Sequence, residues 1–169
     1  GHIRSTIIGH VLGNMYEACG YTVHRINYLN DWGGMGVLIE WLSGRTDVES
    51  FANKNDLLFD IYSTFRKAQK ASGWEDVYNE CTLSEKDSIS ALVGNFDDYE
   101  SFTKQYKIFS TRATDQFSAL EKWQDEAFAA WRKIVEWSIQ DFERFYEILD
   151  IHQEYLTGEG LYAKLWKDM

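Results

Sequence analysis

Proline is absent from all 169 residues, where ordinary usage of about 5% would place roughly eight. No residue therefore breaks a helix by removing its amide donor, and long uninterrupted helices are expected. Cysteine is scarce as well: Cys19 and Cys81 lie far apart in the chain and lack the spacing of a metal-ligand set. Two reduced thiols in a cytoplasmic protein are expected, with no metal site. Basic charge is short, with 17 Lys and Arg against 27 Asp and Glu, a net charge of −10. That balance argues against a free-standing nucleic-acid binder and against DNA as a partner, because phosphate binding is driven by basic surface. No apolar run is long enough to span a membrane and no targeting segment is legible, so no membrane association is expected. Aromatics are plentiful at 16%, with seven Trp. They imply a packed, helix-rich body rather than disorder.

The chain opens on Gly1-His2, running straight into an apolar segment from Ile3. The first turn of a helix has unpaired N–H groups and positive dipole character, so it is a place for a nucleotide phosphate, and His2 can donate a hydrogen bond there. On the residues alone, an N-terminal remnant before an ordinary helix reads equally well. Ile3, Ile7, Val11 and Met15 recur at four-residue steps, with Ile8, Leu12 and Cys19 beside them. This predicts a helix buried around most of its circumference, ended by Gly20. Gly9 and Gly13, one turn apart, are either a close-packing strip against a sheet or two tolerated glycines. His10 sits too far into the helix to face a nucleotide at its start.

Tyr21 to Leu29 reads as a short strand, rich in β-branched and aromatic residues. Helix followed by strand is half of a βαβ unit, and in open α/β sheets ligands sit beyond the carboxyl ends of the strands. Asn27 to Gly33 and the helix start at Gly1-His2 are therefore expected on one rim. The structural alternatives are a turn aspartate for Asp31 and a core wedge for Trp32. Gly33-Gly34-Met35-Gly36 lacks the Gly-Lys-Ser/Thr of a phosphate-cradling loop and reads as a turn into a short helix, Val37 to Leu42.

Residues 43–55 are polar and read as a linker. Asn55-Asp56 then offers a cap to a helix bearing Leu57, Leu58, Ile61, Phe65 and Ala68, whose Arg66, Lys67 and Lys70 form a solvated face. Helical pieces are expected from Ser84 to Val93 and from Tyr99 onward, separated by Gly94-Asn95, and the adjacent Asp97 and Asp98 carry no chemistry. From Ala113 to Trp166 the pattern is helical. Phe128, Trp131, Val135, Phe142, Phe145 and Leu149, with Ile134, Tyr146 and Ile148 beside them, form a stripe expected in the core.

Two stretches carry a resemblance. Gly1-His2-Ile3-Arg4-Ser5-Thr6-Ile7-Ile8-Gly9 is similar to the end of the His-x-Gly-His signature of class I aminoacyl-tRNA synthetases and its arginyl continuation, Leu-Arg-Ser-Thr-Ile-Ile-Gly. Arg25-Ile26-Asn27-Tyr28-Leu29-Asn30-Asp31-Trp32-Gly33 resembles the arginyl pattern Arg-x-Asn-x-x-Gly-Asp-Trp-Gly, departing at Asn30. Phe59-Asp60-Ile61-Tyr62 and the turn Gly158-Glu159-Gly160 extend the likeness; the family has Ser where Gly160 stands.

The resemblance to arginyl-tRNA synthetases implies a helix-dominated α/β fold: part of a Rossmann-like class I catalytic domain with a mostly α-helical insertion. Residues 1–42 would be part of the nucleotide-binding half, and 43–169 the mainly helical insertion and the return towards the catalytic domain. It implies ATP-dependent activation of L-arginine and transfer to tRNA-Arg in the cytoplasm, with Mg2+ accompanying the nucleotide. Gly1, His2 and Ser5 would serve ATP, His2 as the catalytic residue, while Asn27, Asp31, Trp32 and Glu159 would line or support the arginine side. No Lys-Met-Ser-Lys loop is present. The chain is thus expected to be a fragment that does not charge tRNA alone, and the alternative is a non-catalytic helical interaction module.

Overall fold

With no proline to interrupt them, the longest helices run for 20, 23 and 24 residues. The computed structural model describes residues 3–45 and 47–168, with 164 and 166–168 given by backbone alone. The chain divides into two compact units, one of residues 1–33 and 138–169, the other of residues 34–137. α2 (Met35–Leu42) belongs to the second unit because it packs along α6 (Tyr99–Glu121).

The helical unit contains α2, a short 3-10 turn at Val48–Ser50, α3 (Lys54–Gly73), α4 (Glu75–Glu80), α5 (Leu83–Val93), α6, and α7 (Asp125–Ile148) as far as Trp137. Its helix starts are set by side chains. Asn53, rather than the expected Asn55, caps α3: its Oδ1 accepts the Asp56 N–H at 3.2 Å, whereas Asn55 donates to the Trp137 carbonyl at 2.8 Å. Asp98 caps α6 by accepting the Ser101 N–H at 2.8 Å, a structural task where no chemistry was read. Thr82 and Glu85 form a reciprocal box at the start of α5.

Within the largely aliphatic core of this unit lies an aromatic group. Phe102 stacks on Tyr78, ring centroids 5.1 Å apart, and also meets Phe96 and Tyr106. The expected linker 43–55 hides one anchor, Val48, which is only 2% exposed. The expected core stripe of the last long helix is buried only in part: Ile134 is buried, and Phe128, Trp131 and Val135 are half-buried. Phe142, Phe145 and Leu149 are exposed, and the buried positions of α7 are Ala127, Ile134 and Trp137. The helical stretch from Ala113 to Trp166 is interrupted where Trp123 and Asp150 adopt left-handed backbone, φ 58° and 52°, just past the ends of α6 and α7.

Glu85 makes stability in this unit pH-dependent. Lys67 Nζ donates to its carboxylate at 2.9 Å, and the Thr82 N–H and hydroxyl each donate at 3.0 Å, which together lower its pKa from 4.5 to about 2. A carboxyl whose folded pKa lies below the unfolded one stabilises the fold above the ordinary carboxylate range and loses that contribution as pH falls towards 2. Urea midpoints of wild type and Glu85→Gln are therefore expected to differ at pH 6, wild type higher, and to converge as pH approaches 2. A constant gap would refute the assignment.

The other unit holds α1 (Ile3–Ala18), β1 (Ile26–Leu29), the end of α7, β2 (Tyr155–Gly158) and α8 (Glu159–Asp168). Strands β1 and β2 are parallel, paired from Ile26 with Tyr155 to Leu29 with Gly158. The strand expected over 21–29 is thus four residues long, because its partner offers only four. Just before it, the Arg25 carbonyl accepts the N–H groups of Glu154 and Tyr155, both at 3.0 Å. Gly20, φ 88°, terminates the first helix region as read.

The expectation of a mostly buried α1 is overturned. Ile3 is 51% and Met15 60% exposed, and Gly13 is its one buried residue. What lies against α1 is the short segment leading into β1, with Arg25 over Gly13, and it is too small to cover the helix. The two glycines separate: a Cβ on Gly13 would lie 3.3 Å from the Arg25 guanidinium, whereas one on Gly9 would meet nothing within 4 Å. Cys19 and Cys81 are both free thiols.

Candidate functional site

Parallel pairing in register makes β1 and β2 end together, so the residues after Leu29 and after Gly158 leave from one rim. Asp31 reaches from the first connection to the second: its Oδ1 accepts the N–H of Gly160 at 2.8 Å. Gly158 makes room for this, since a Cβ there would lie 2.5 Å from Asp31 Oδ2 and 2.6 Å from its Cγ. Glu159, half-buried, stands between these two glycines.

Tyr28 and Tyr162 join this rim, their ring centroids 6.0 Å apart. Burial, then the negative charge of Glu159, with smaller effects from Tyr162 and Asp31, raises the pKa of the Tyr28 phenol. Sequence reasoning missed both tyrosines. The available signal for Tyr162 was its position three residues after Glu159, on the same helical face; that for Tyr28 was its place one residue before the end of the strand. A carboxylate beside aromatic rings suits a planar organic cation, which the carboxylate binds by charge-assisted hydrogen bonds and the rings by their π-faces.

A cavity of about 320 Å³ lies between α1 and the approach to β1, lined among others by Ser5, Thr6, His10, Arg25 and Asn27. It brings together two predicted residues, Ser5 and Asn27. Asn27 also borders a second groove of about 410 Å³, and its amide donates to the Tyr146 hydroxyl at 2.7 Å. Arg25 is committed locally, donating to both Glu17 oxygens at 2.7 and 2.8 Å and to Asn14 at 2.8 Å. The bond with Arg25 holds the Glu17 carboxyl below its usual range and the guanidinium above its own. Asp31 and Glu159 line neither cavity, and Trp32 is half-buried. Gly1 and His2, the predicted nucleotide residues, lie outside the described residues. Among the described residues no group of three or more His, Cys, Asp or Glu is placed to hold a metal ion.

The family model for the catalytic domain of class I (R) tRNA synthetases matches residues 1–169. The chain belongs to this family. It is 31% identical over 166 residues to the cytoplasmic arginine–tRNA ligase of Saccharomyces cerevisiae, covering 97% of this chain and 23% of that protein. It is also 31% identical over 163 residues to the arginine–tRNA ligase of Chlamydia pneumoniae, covering 96% and 22%. A Bos taurus protein named "Probable arginine–tRNA ligase, mitochondrial" is 30% identical over 167 residues, 97% of this chain and 23% of its own length. The chain thus spans under a quarter of the length of these relatives. No solved structure matches it. Membership of the synthetase family agrees with the resemblance read from Gly1 to Gly9 and Arg25 to Gly33. The architecture agrees at the level of a helix-dominated α/β domain with a small parallel sheet.

Proposed function

We propose that this chain is part of an arginine–tRNA ligase that activates arginine with ATP and transfers it to tRNA-Arg. The observation that carries the reading is the rim at the ends of β1 and β2, where Asp31 and Glu159 follow strands paired in register beside Tyr28 and Tyr162. An acidic, aromatic rim at the carboxyl ends of parallel strands fits a guanidinium substrate in the usual ligand position of an α/β sheet.

On this proposal residues 1–42 supply part of a Rossmann-like nucleotide-binding half, and 43–169 the mainly helical insertion and the return. Gly1 leaves space for adenine, His2 donates to the phosphates, and the Ser5 hydroxyl is a further phosphate partner, with Mg2+ entering alongside ATP. Asn27, Asp31, Trp32 and Glu159 line or support the arginine side. A carboxylate oxygen of arginine attacks the α-phosphorus of ATP, the bond to pyrophosphate breaks, and arginyl-adenylate forms. A hydroxyl of the terminal tRNA ribose then attacks the activated carbonyl and loses its proton as AMP departs. Catalysis rests on positioning and charge stabilisation. The setting is cytoplasmic, without membrane or DNA as partner; among the described residues no helix is long and apolar enough to cross a membrane.

Titration of the 169-residue chain with ATP is expected to saturate, and His2→Ala to weaken binding by about tenfold or more, the loss of one hydrogen bond to a charged group. The same chain is expected not to charge tRNA-Arg. Turnover by the isolated chain would overturn the fragment reading. The second reading, a non-catalytic helical interaction module, is favoured by the exposed apolar residues of α1. A well-folded chain that does not bind ATP would support it.

A further inference from the structure

The close approach of Asp31 to Gly158 and Gly160 goes further than the general statement that Asp31 stands on the arginine side. The backbone amide of Gly160 lies in the first turn of α8, where helix N–H groups have no intrahelical partner. Asp31 Oδ1 satisfies this one from across the sheet, at 2.8 Å, over a separation of 129 residues. Its carboxyl group occupies the volume that any side chain at 158 would need, because a Cβ there would lie within 2.6 Å of Oδ1, Oδ2 and Cγ alike. The two glycines thus have different tasks. Gly158 supplies the space and Gly160 the donor, with Glu159 held between them.

We infer that Asp31 is a positioning residue: its carboxyl oxygen clamps the Gly158–Gly160 turn through the Gly160 N–H and so fixes the direction of Glu159, without itself touching the substrate. A carboxylate at a helix start is also favoured by the helix dipole, which adds to the hydrogen bond. Its placement turns the bond into a geometric device, since Asp31 and Glu159 follow two different strands and the clamp sets one connection against the other. Family position alone assigns no such division of labour between the two acids. The inference rests on the proposed function only for the identity of the ligand that Glu159 meets.

An acceptor at residue 31 is what the clamp requires, and a negative charge is secondary. Asp31→Asn keeps an oxygen in the same place, Asp31→Ala removes it, and Gly158→Ala drives the carboxyl group out of its space. Hydrogen–deuterium exchange of the Gly160 amide, followed by NMR in the full 169-residue chain, reads the clamp directly. Exchange is expected to quicken about tenfold or more in Asp31→Ala and Gly158→Ala, the loss of one hydrogen bond. In Asp31→Asn it is expected to stay within about threefold of wild type on the same scale. Unchanged protection of the Glu154 and Tyr155 amides, which donate to the Arg25 carbonyl in the same unit, shows that each variant keeps that unit folded.

Arginine affinity is measured on the same samples and is expected to follow the same order, weakened in the two clamp-breaking variants and largely kept in Asp31→Asn. Wild-type protection of Gly160 in Asp31→Ala would overturn the clamp. Loss of arginine binding in Asp31→Asn with the Gly160 amide still protected would make Asp31 a direct ligand and overturn its positioning role. A wild-type chain that shows the exchange pattern but does not bind arginine would bear out the clamp and count against the arginine-activating reading alone.

Discussion

Replacing Phe102 with alanine is expected to destabilise the helical unit by about 3–5 kcal/mol, the range for truncating a fully buried aromatic side chain. Phe102 is 0% exposed and sits at the centre of an aromatic group. It stacks on Tyr78, meets Phe96 at 5.1 Å between centroids, and touches Tyr99 and Tyr106 at 6.4 Å. Those rings come from α4, the loop before α6, and α6 itself, so no single movement refills the space that Phe102 leaves. The loss combines transfer energy, the residual cavity and several ring–ring contacts worth about 0.5–1.5 kcal/mol each. It is large beside the total stability of an ordinary domain, about 5–15 kcal/mol. Urea unfolding followed by tryptophan fluorescence reads the change, since Trp41, Trp74, Trp123, Trp131 and Trp137 all lie in the helical unit. Leu83→Ala is the matched control. Leu83 is 83% exposed, and its truncation is expected to stay within about 0.5 kcal/mol. Equal effects for the two variants would refute this picture of the core.

The second large effect is expected from adding a single methyl group. Gly36 lies in α2 where that helix crosses α6, and a Cβ on it would overlap the Ala113 carbonyl oxygen and come within 2.9 Å of Phe117 Cβ. Helix propensity alone favours alanine over glycine by about 1 kcal/mol, so α2 in isolation would gain from Gly36→Ala. In the folded unit the colliding group is backbone, which moves only if α6 moves. Overpacking of this kind costs about 1–3 kcal/mol, occasionally more, and here the upper part of that range outweighs the propensity gain. α6 is also tied to α2 by Glu40, which forms an ion pair with Arg112 Nε at 3.2 Å and accepts from the Gln116 amide at 3.3 Å. Separating the helices would strain those bonds as well. Thermal unfolding is expected to show a clear fall in Tm for Gly36→Ala, while Gly9→Ala, on an open side of α1, keeps or raises it. A stabilised Gly36→Ala variant would show that the interhelical approach is looser than the geometry indicates.

These two sites mark where local pattern stops being informative. Gly36 and Gly9 are both glycines within helices, each preceded by an apolar residue, and only packing against α6 separates an obligatory glycine from a replaceable one. The stripe on α7 shows the same limit in another form. Its three- and four-residue steps establish a helix, but of the apolar residues read there only Ile134 is buried, together with Ala127 and Trp137, because burial depends on what the rest of the fold sets against each turn. On α1 the apolar residues were counted correctly and their burial was not. Burial is a property of what lies opposite, and opposite α1 stands only the short segment leading into β1.

From the sequence alone came the family motifs around Arg4-Ser5-Thr6 and Asp31-Trp32-Gly33, the helical character of the body, the stop at Gly20, and the expectation that a strand would end near Leu29. Each follows from local chemistry: a motif, a period, or a glycine that can take positive φ. The tertiary structure decided what depends on distant partners. Parallel pairing set Gly158 beside Leu29, brought the Asp31 carboxyl group to the Gly160 amide, and placed Tyr162 against Tyr28. Strand pairing converts a separation of more than a hundred residues into a hydrogen bond, and no local window of the chain contains that information.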